Sequence, residues 1–315
     1  MKKIRLILIT ALVAFLLAAC GSNNESNTDK NNGSNETISI THELDKDPVT
    51  VKKNPEKVVV FDFGMLDTLD KMGIEVTGVP QANIPPYLSK YEDSKYVNVG
   101  GLKEPDFEKI AEIGPDLIII SGRQAELYED LKEIAPTIYV GLDTSKYMES
   151  FKNNLKLIGE IFGKEDMVES ELKAIEDRIA AVKEKVTSID KNALILLAND
   201  GEVSAYGTGS RFGLIHDVLG FKPADENIEV STHGQKVSFE YVLETNPDYI
   251  FVVDRTAVVG GETAAKDLVE NELVKNTNAY KNNKIFYLDP NYWYLSGGGL
   301  ISVSEMISEI EKSVE

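Results

Sequence analysis

Among 315 residues the chain carries one cysteine, three histidines, one tryptophan and, within 33 basic residues, only five arginines. A single cysteine, Cys20, rules out an intrachain disulfide. The histidines, His42, His216 and His233, are scattered. A free zinc or manganese ion draws several histidine and carboxylate ligands together, so that cargo is disfavoured. No G-x-S-x-G elbow and no H-E-x-x-H helix occurs. The loop Gly207-Thr208-Gly209-Ser210 lacks the G-K-[ST] ending of a phosphate loop. Chemistry on a bound molecule therefore has no visible machinery. Excess positive charge is also missing: the formal net charge is −19. Nucleic acid is excluded as a partner, because its affinity comes mostly from neutralised phosphates.

Long apolar runs are confined to the N-terminus. Met1-Lys2-Lys3-Ile4-Arg5 is a positive leader, and residues 6–19 form an apolar stretch too short to span a membrane. Leu17-Ala18-Ala19-Cys20 reads as a lipobox, the cleavage and lipidation signal of bacterial lipoproteins. Acylation at Cys20 anchors a protein to the extracellular face of the cell membrane without spanning it. Residues 21–37 are nearly devoid of apolar side chains and read as a flexible tether. Removing Lys2, Lys3 and Arg5 with the leader takes the charge from −19 to −22. An acidic protein that holds an anion must do so with a local cationic pocket.

The arginines supply one. Residues 107–123, FEKIAEIGPDLIIISGR, and 239–255, FEYVLETNPDYIFVVDR, share seven identical positions at a constant offset of 132. Each reads as an amphipathic helix, a Pro-Asp turn, a buried strand and an arginine where the strand ends. Open α/β sheets bind ligands beyond the carboxyl ends of their strands. Arg123 and Arg255 close the two copies and Arg211 lies in the loop TGSRFG, while Arg5 sits in the leader and Arg178 in a charged helix. The planar fork of arginine suits delocalised oxyanions better than a lysine point charge does. The competing role for each is a surface ion pair, with Asp254 available to Arg255.

Around the repeats, strands at 58–62, 96–100 and 137–141 alternate with helices at about 64–72 and 124–133. Residues 165–188 form one uninterrupted helix with apolar side chains at three- and four-residue spacing, placed to connect two lobes. A second α/β run follows: strands at 193–200 and 203–207, a helix near 212–219, a strand at 285–288 and a final amphipathic helix. The expected organisation is a leader (1–19), the lipidated cysteine and tether (20–37), an N-terminal lobe (38–164), the connecting helix (165–188) and a C-terminal lobe (189–315).

The lipobox, tether, two lobes and helical connector resemble a cluster III substrate-binding protein of an ABC importer. The segments GLKEPDFEKIAEIGPDLIIISGR, GSRFGLIHDVLG, STHGQ, NPDYIFVVDR and NYWYLSGGGL resemble the petrobactin-type catecholate siderophore-binding lipoproteins of Gram-positive bacteria. The resemblance runs from about residue 38 to the end. It implies two Rossmann-like α/β lobes joined by a single long helix. It implies a monomer that binds a ferric siderophore as cargo, uses no cofactor, does no chemistry, and serves an ABC permease dimer and its ATPase. It matches Arg123, Arg211 and Arg255 to a cleft triad. It matches His233 and Tyr294 to positions that complete iron coordination when the siderophore leaves sites open; hydrogen bonding or stacking is the other role for each. In an extended Tyr292-Trp293-Tyr294 run both tyrosines face one side, so Trp293 is either a ligand contact or a core anchor. Glu108 and Glu240, equivalent in the two repeats, fit helix first turns; the resemblance gives them docking pockets on the permease. Haem or cobalamin remains the alternative cargo; a siderophore-modifying enzyme or an adhesin fits less well.

Overall fold

A computed structural model of the protein describes residues 36–315. The leader, Cys20 and the tether to residue 35 lie outside the described residues. An antiparallel hairpin, β1 (Thr37–Ile40) and β2 (Val49–Lys52), opens the described part of the fold, and its first strand begins at the last residue of the expected tether.

The first sheet contains β3 (Val58–Val60), β4 (Gly78–Val79), β5 (Val97–Asn98), β6 (Leu117–Ile120) and β7 (Thr137–Tyr139), all parallel, in the order β5-β4-β3-β6-β7. This is a doubly wound order, with its reversal between β3 and β6. All four residues of β6 are fully buried, as a central parallel strand covered on both faces requires. The helices of this half are α1 (Phe63–Lys71), α2 (Phe107–Ile113), α3 (Tyr128–Ile134) and α4 (Tyr147–Phe162).

The connector is α5 (Glu165–Ile189). It buries Val168, Leu172, Ile175, Val182 and Val186 of the stripe that the spacing predicts, while Ile179, also in that stripe, is half-buried against the same core. Beyond it, β8 (Asn192–Asn199) and β9 (Glu202–Tyr206) form a hairpin, and β10 (Lys222–Pro223) pairs with β8. After β11 (Gln235–Val237) comes α6 (Phe239–Thr245), then β12 (Tyr249–Asp254) and β13 (Ile285–Leu288), giving the order β11-β9-β8-β12-β13. The chain is thus mixed α/β with two sheets on either side of one long helix.

The last helix, α7 (Leu300–Ser313), departs from the lobe expected at 189–315: it packs against α1 and α5, back on the first half. Asp67 of α1 accepts bonds from the backbone N–H groups of Ile301 (3.1 Å) and Ser302 (3.0 Å), and the Thr68 hydroxyl accepts from Leu300 N–H (3.1 Å). A side chain on Gly299 would collide with the Asp67 carboxylate and the Gly64 carbonyl, so only glycine permits this approach. One apolar core consequently runs from the hairpin through α4, α5 and β8 to α7. Arg178 of α5 donates to Ser304 and Ser308 of α7, which accounts for the fourth arginine.

Candidate functional site: an arginine cluster at the strand ends

The two repeat copies fold alike. Asp106 and Ser238 cap α2 and α6 by accepting from the N–H of Lys109 and Tyr241. Gly114 (φ 57) and Asn246 (φ 41) end them in the left-handed region, and the Pro-Asp turn leads into β6 and β12. Arg123 follows β6 in a 3-10 turn (Gly122–Leu127). Gln124 fixes that turn by accepting from Ser121 N–H and donating to the Leu102 carbonyl. Arg255 follows β12 directly; its N–H donates to Ala198 O and its guanidinium to the Asn199 side chain (2.5 Å).

Both arginines, and Arg211 from the β9–β10 connection, converge on Tyr294. Residues Asn291–Ser296 form a π-helical turn, and the last carbonyls of a helical turn lack intrahelical partners. Arg123 bridges two of them, donating to Tyr294 O (2.6 Å) and Leu295 O (3.2 Å); Arg211 also donates to Tyr294 O (3.1 Å). Arg255 Nε donates to the Tyr294 hydroxyl at 2.8 Å. The guanidinium carbons of Arg211, Arg255 and Arg123 stand 4.5, 5.6 and 5.9 Å from the Tyr294 ring centre, within cation–π range. Among the described residues, none of the three pairs with a carboxylate. Asp254 instead accepts from the N–H groups of Ala257 and Ala265.

The electrostatics follow. Burial, and then repulsion from Arg123, lowers the pKa of Arg211. Burial alone raises that of Tyr294, but the bond from Arg255 and the charges of Arg211, Arg255 and Arg123 outweigh it, and the net shift is downward. Each guanidinium has five N–H donors. Arg123 uses two, Arg255 two and Arg211 one. The remainder can meet oxygens of a bound anion.

A cavity of about 280 Å³ opens on this cluster, lined from the first half by Ala82, Asn83, Leu102, Lys103 and Glu104 and from the second by Val259 and Leu295, with Arg123, Arg255 and Tyr294; Arg211 is not part of its lining. Lys103 and Glu104 lie in the segment GLKEPDFEK, where nothing in their residue types or spacing distinguishes them from surface charges. A larger cavity, about 780 Å³, lies between β1 and α4. Its charged lining, Glu43, Asp143 and Glu160, is acidic, and no arginine or lysine among the described residues faces it.

One expectation, the extended run at residues 292–294, needs correction. Residues 292–294 are a helical turn, so alternation does not apply. Trp293 is nonetheless a core residue, 2% exposed, donating its indole N–H to Glu309 (2.6 Å); it makes no contact with the cavity. Tyr292 turns the other way and packs on Tyr87 (4.8 Å). His233 is exposed on a turn and does not line the cavity. Among the described residues no group of three or more His, Cys, Asp or Glu is arranged to hold a metal. Glu108 and Glu240 are exposed in the first turns of α2 and α6, and neither forms an ion pair with a described residue.

The profile of the family described as periplasmic binding protein matches residues 58–292. The petrobactin-binding protein YclQ of Bacillus subtilis (strain 168) is 54% identical over 318 residues, covering 100% of both chains. The crystal structure of YclQ superposes with a TM-score of 0.87 at 56% identity, over 89% of this chain and 99% of that one. The periplasmic catecholate-siderophore binding protein VctP of Vibrio cholerae gives a TM-score of 0.83 at 35% identity, over 88% and 100%.

Proposed function

Because the chain belongs to the periplasmic binding protein family, we propose that it captures a ferric catecholate siderophore of the petrobactin type at the arginine cluster and delivers it to an ABC permease for iron uptake. The observation that carries this reading is the convergence of Arg123, Arg211 and Arg255 from both halves, without a carboxylate partner. Three cations crowded together repel one another, and they recover that energy when an anion arrives. A ferric catecholate spreads negative charge over several oxygens, which forked guanidinium donors match. The names of YclQ and VctP point to the same cargo class.

Iron enters as cargo, held by the siderophore. The Tyr294 hydroxyl, with its lowered pKa, suits ferric iron wherever a siderophore leaves a coordination position open; His233 reaches it only if its turn swings inward. Glu108 and Glu240 meet cationic pockets on two permease subunits. Cys20 carries the lipid that holds a monomeric receptor at the outer face of the membrane.

Residues 36–315 form one compact unit, so the test uses that unit. Ferric petrobactin, a ferric tris-catecholate, a ferric hydroxamate and haem are titrated while Trp293 fluorescence is followed; the indole adjoins Tyr294 and senses the site through it. Saturable tight binding of the catecholates alone is the expected result. Preference for haem or for a neutral hydroxamate overturns the assignment of the arginines.

A further inference from the structure

Tyr206 ends β9 and is 1% exposed, yet its hydroxyl has no hydrogen-bond partner among the described residues. Its ring meets Phe212 edge-on at 4.7 Å, and the Arg211 guanidinium stands 5.1 Å from the Phe212 ring on its way to Tyr294. Burial weighs most on the hydroxyl, and the charges of Arg211 and Arg255 and the phenol of Tyr294 also act on it. The guanidinium groups only donate, and the Tyr294 oxygen already accepts from Arg255. Burying a hydroxyl unpaired costs free energy that a phenylalanine at the same place avoids.

The cover over Tyr206 is thin. Gly234 (φ +72) lies against the ring so closely that a Cβ there would stand 2.6 Å from it. The turn is closed locally, by Gly234 N–H to Ser231 O (3.2 Å) and Ser231 Oγ to Gly234 O (2.9 Å). Val230 is 64% exposed and His233 is exposed, so these two side chains do not anchor the turn in the core. The turn rests on the ring mainly through its backbone, and β11 begins directly after it at Gln235, paired to Ala205 of β9.

We infer that Tyr206 is a further cargo-recognition residue: when the Ser231–Gly234 turn lifts, its hydroxyl donates to an oxygen of the anion held by Arg211 and Arg255. This rests on the anion-binding reading above. The buried hydroxyl lacks a hydrogen-bond partner among the described residues, and an oxyanion supplies an acceptor. The hydroxyl also separates cargo classes, because it favours a ligand that brings negatively charged oxygen to this wall.

The test is Tyr206→Phe, which keeps the ring and removes the hydroxyl. The Kd for a ferric catecholate should rise roughly tenfold or more, the loss typical of a hydrogen bond to a charged group. The melting temperature of the empty protein should stay level or rise. A Kd within about twofold of the parent value overturns the inference, and so does a melting temperature that falls together with affinity, which marks a structural hydroxyl. A parent protein that binds no ferric catecholate sinks the functional reading itself, before any variant is compared.

Discussion

At the scale of single residues, the cluster trades stability for binding. Arg123, Arg211 and Arg255 face a tyrosine and its carbonyls instead of carboxylates. Replacing any one by alanine should weaken cargo binding by about 1.5–3 kcal/mol, the range for a hydrogen bond to a charged group; unchanged affinity in all three, measured by titration, would refute the clamp. Arg211→Met should leave the empty protein no less stable, since it removes a buried charge repelled by Arg123. A marked fall in its melting temperature would show that Arg211 is structural. The arginines were legible because so few exist and two close a repeat. Tyr294 was legible only through the resemblance and the place of Trp293 stayed open, because assigning faces by alternation assumes extended backbone and this segment coils. Tyr206 left no sequence signal, since an unpaired buried hydroxyl looks like any other strand tyrosine.

At the scale of elements, α2 and α6 are the same device used twice. Asp106 and Ser238 already cap them, so Glu108 and Glu240 are not needed as N-caps. Glu240 does interact with its own backbone N–H, which lowers its pKa. Glu108→Ala and Glu240→Ala should each impair siderophore uptake by cells while the Kd for the siderophore stays unchanged; a parallel loss of binding counts against docking. Helix, turn and strand of the repeat were readable because each is specified within a few residues: apolar spacing, a left-handed C-cap, a Pro-Asp turn. The strand order was less so, since pairing depends on contacts distant in sequence. The connector's buried stripe followed from its spacing, but its ties to α7 through Arg178 did not.

At the scale of the molecule, the two halves are joined by more than α5. Tyr87 and Tyr147 of the first half bond Ser296 (2.6 Å) and Gly297 O (2.6 Å), and Thr144 donates to Gly209 O (2.9 Å). Asp67 seals this seam. Burial pushes its carboxyl up to about 7, although the Ser302 and Ile301 donors and Tyr87 pull the other way. A raised carboxyl pKa means the native state binds a proton more readily than the unfolded chain. The stability it contributes is full below the ordinary value of 3.8 and is lost as pH rises through about 7. His42 and His216, lowered by burial, act oppositely, losing stability as pH falls through 6.5. Comparison with Asp67→Asn isolates the carboxyl. The parent's advantage in melting temperature should shrink between about pH 4 and 7; a constant gap rejects the assignment.

The seam also sets an order of events. A chain is made from its N-terminus, and early domains ordinarily fold before later ones appear. Here α1 cannot finish its packing until α7 arrives, because Thr68 and Asp67 bond residues 232 to 235 positions downstream. The first half therefore waits, with part of its apolar surface uncovered, until Leu300–Ser313 has been made. A chain cut short before Leu300 would lose far more than its tail: its earliest-made half would stay open to aggregation and proteolysis.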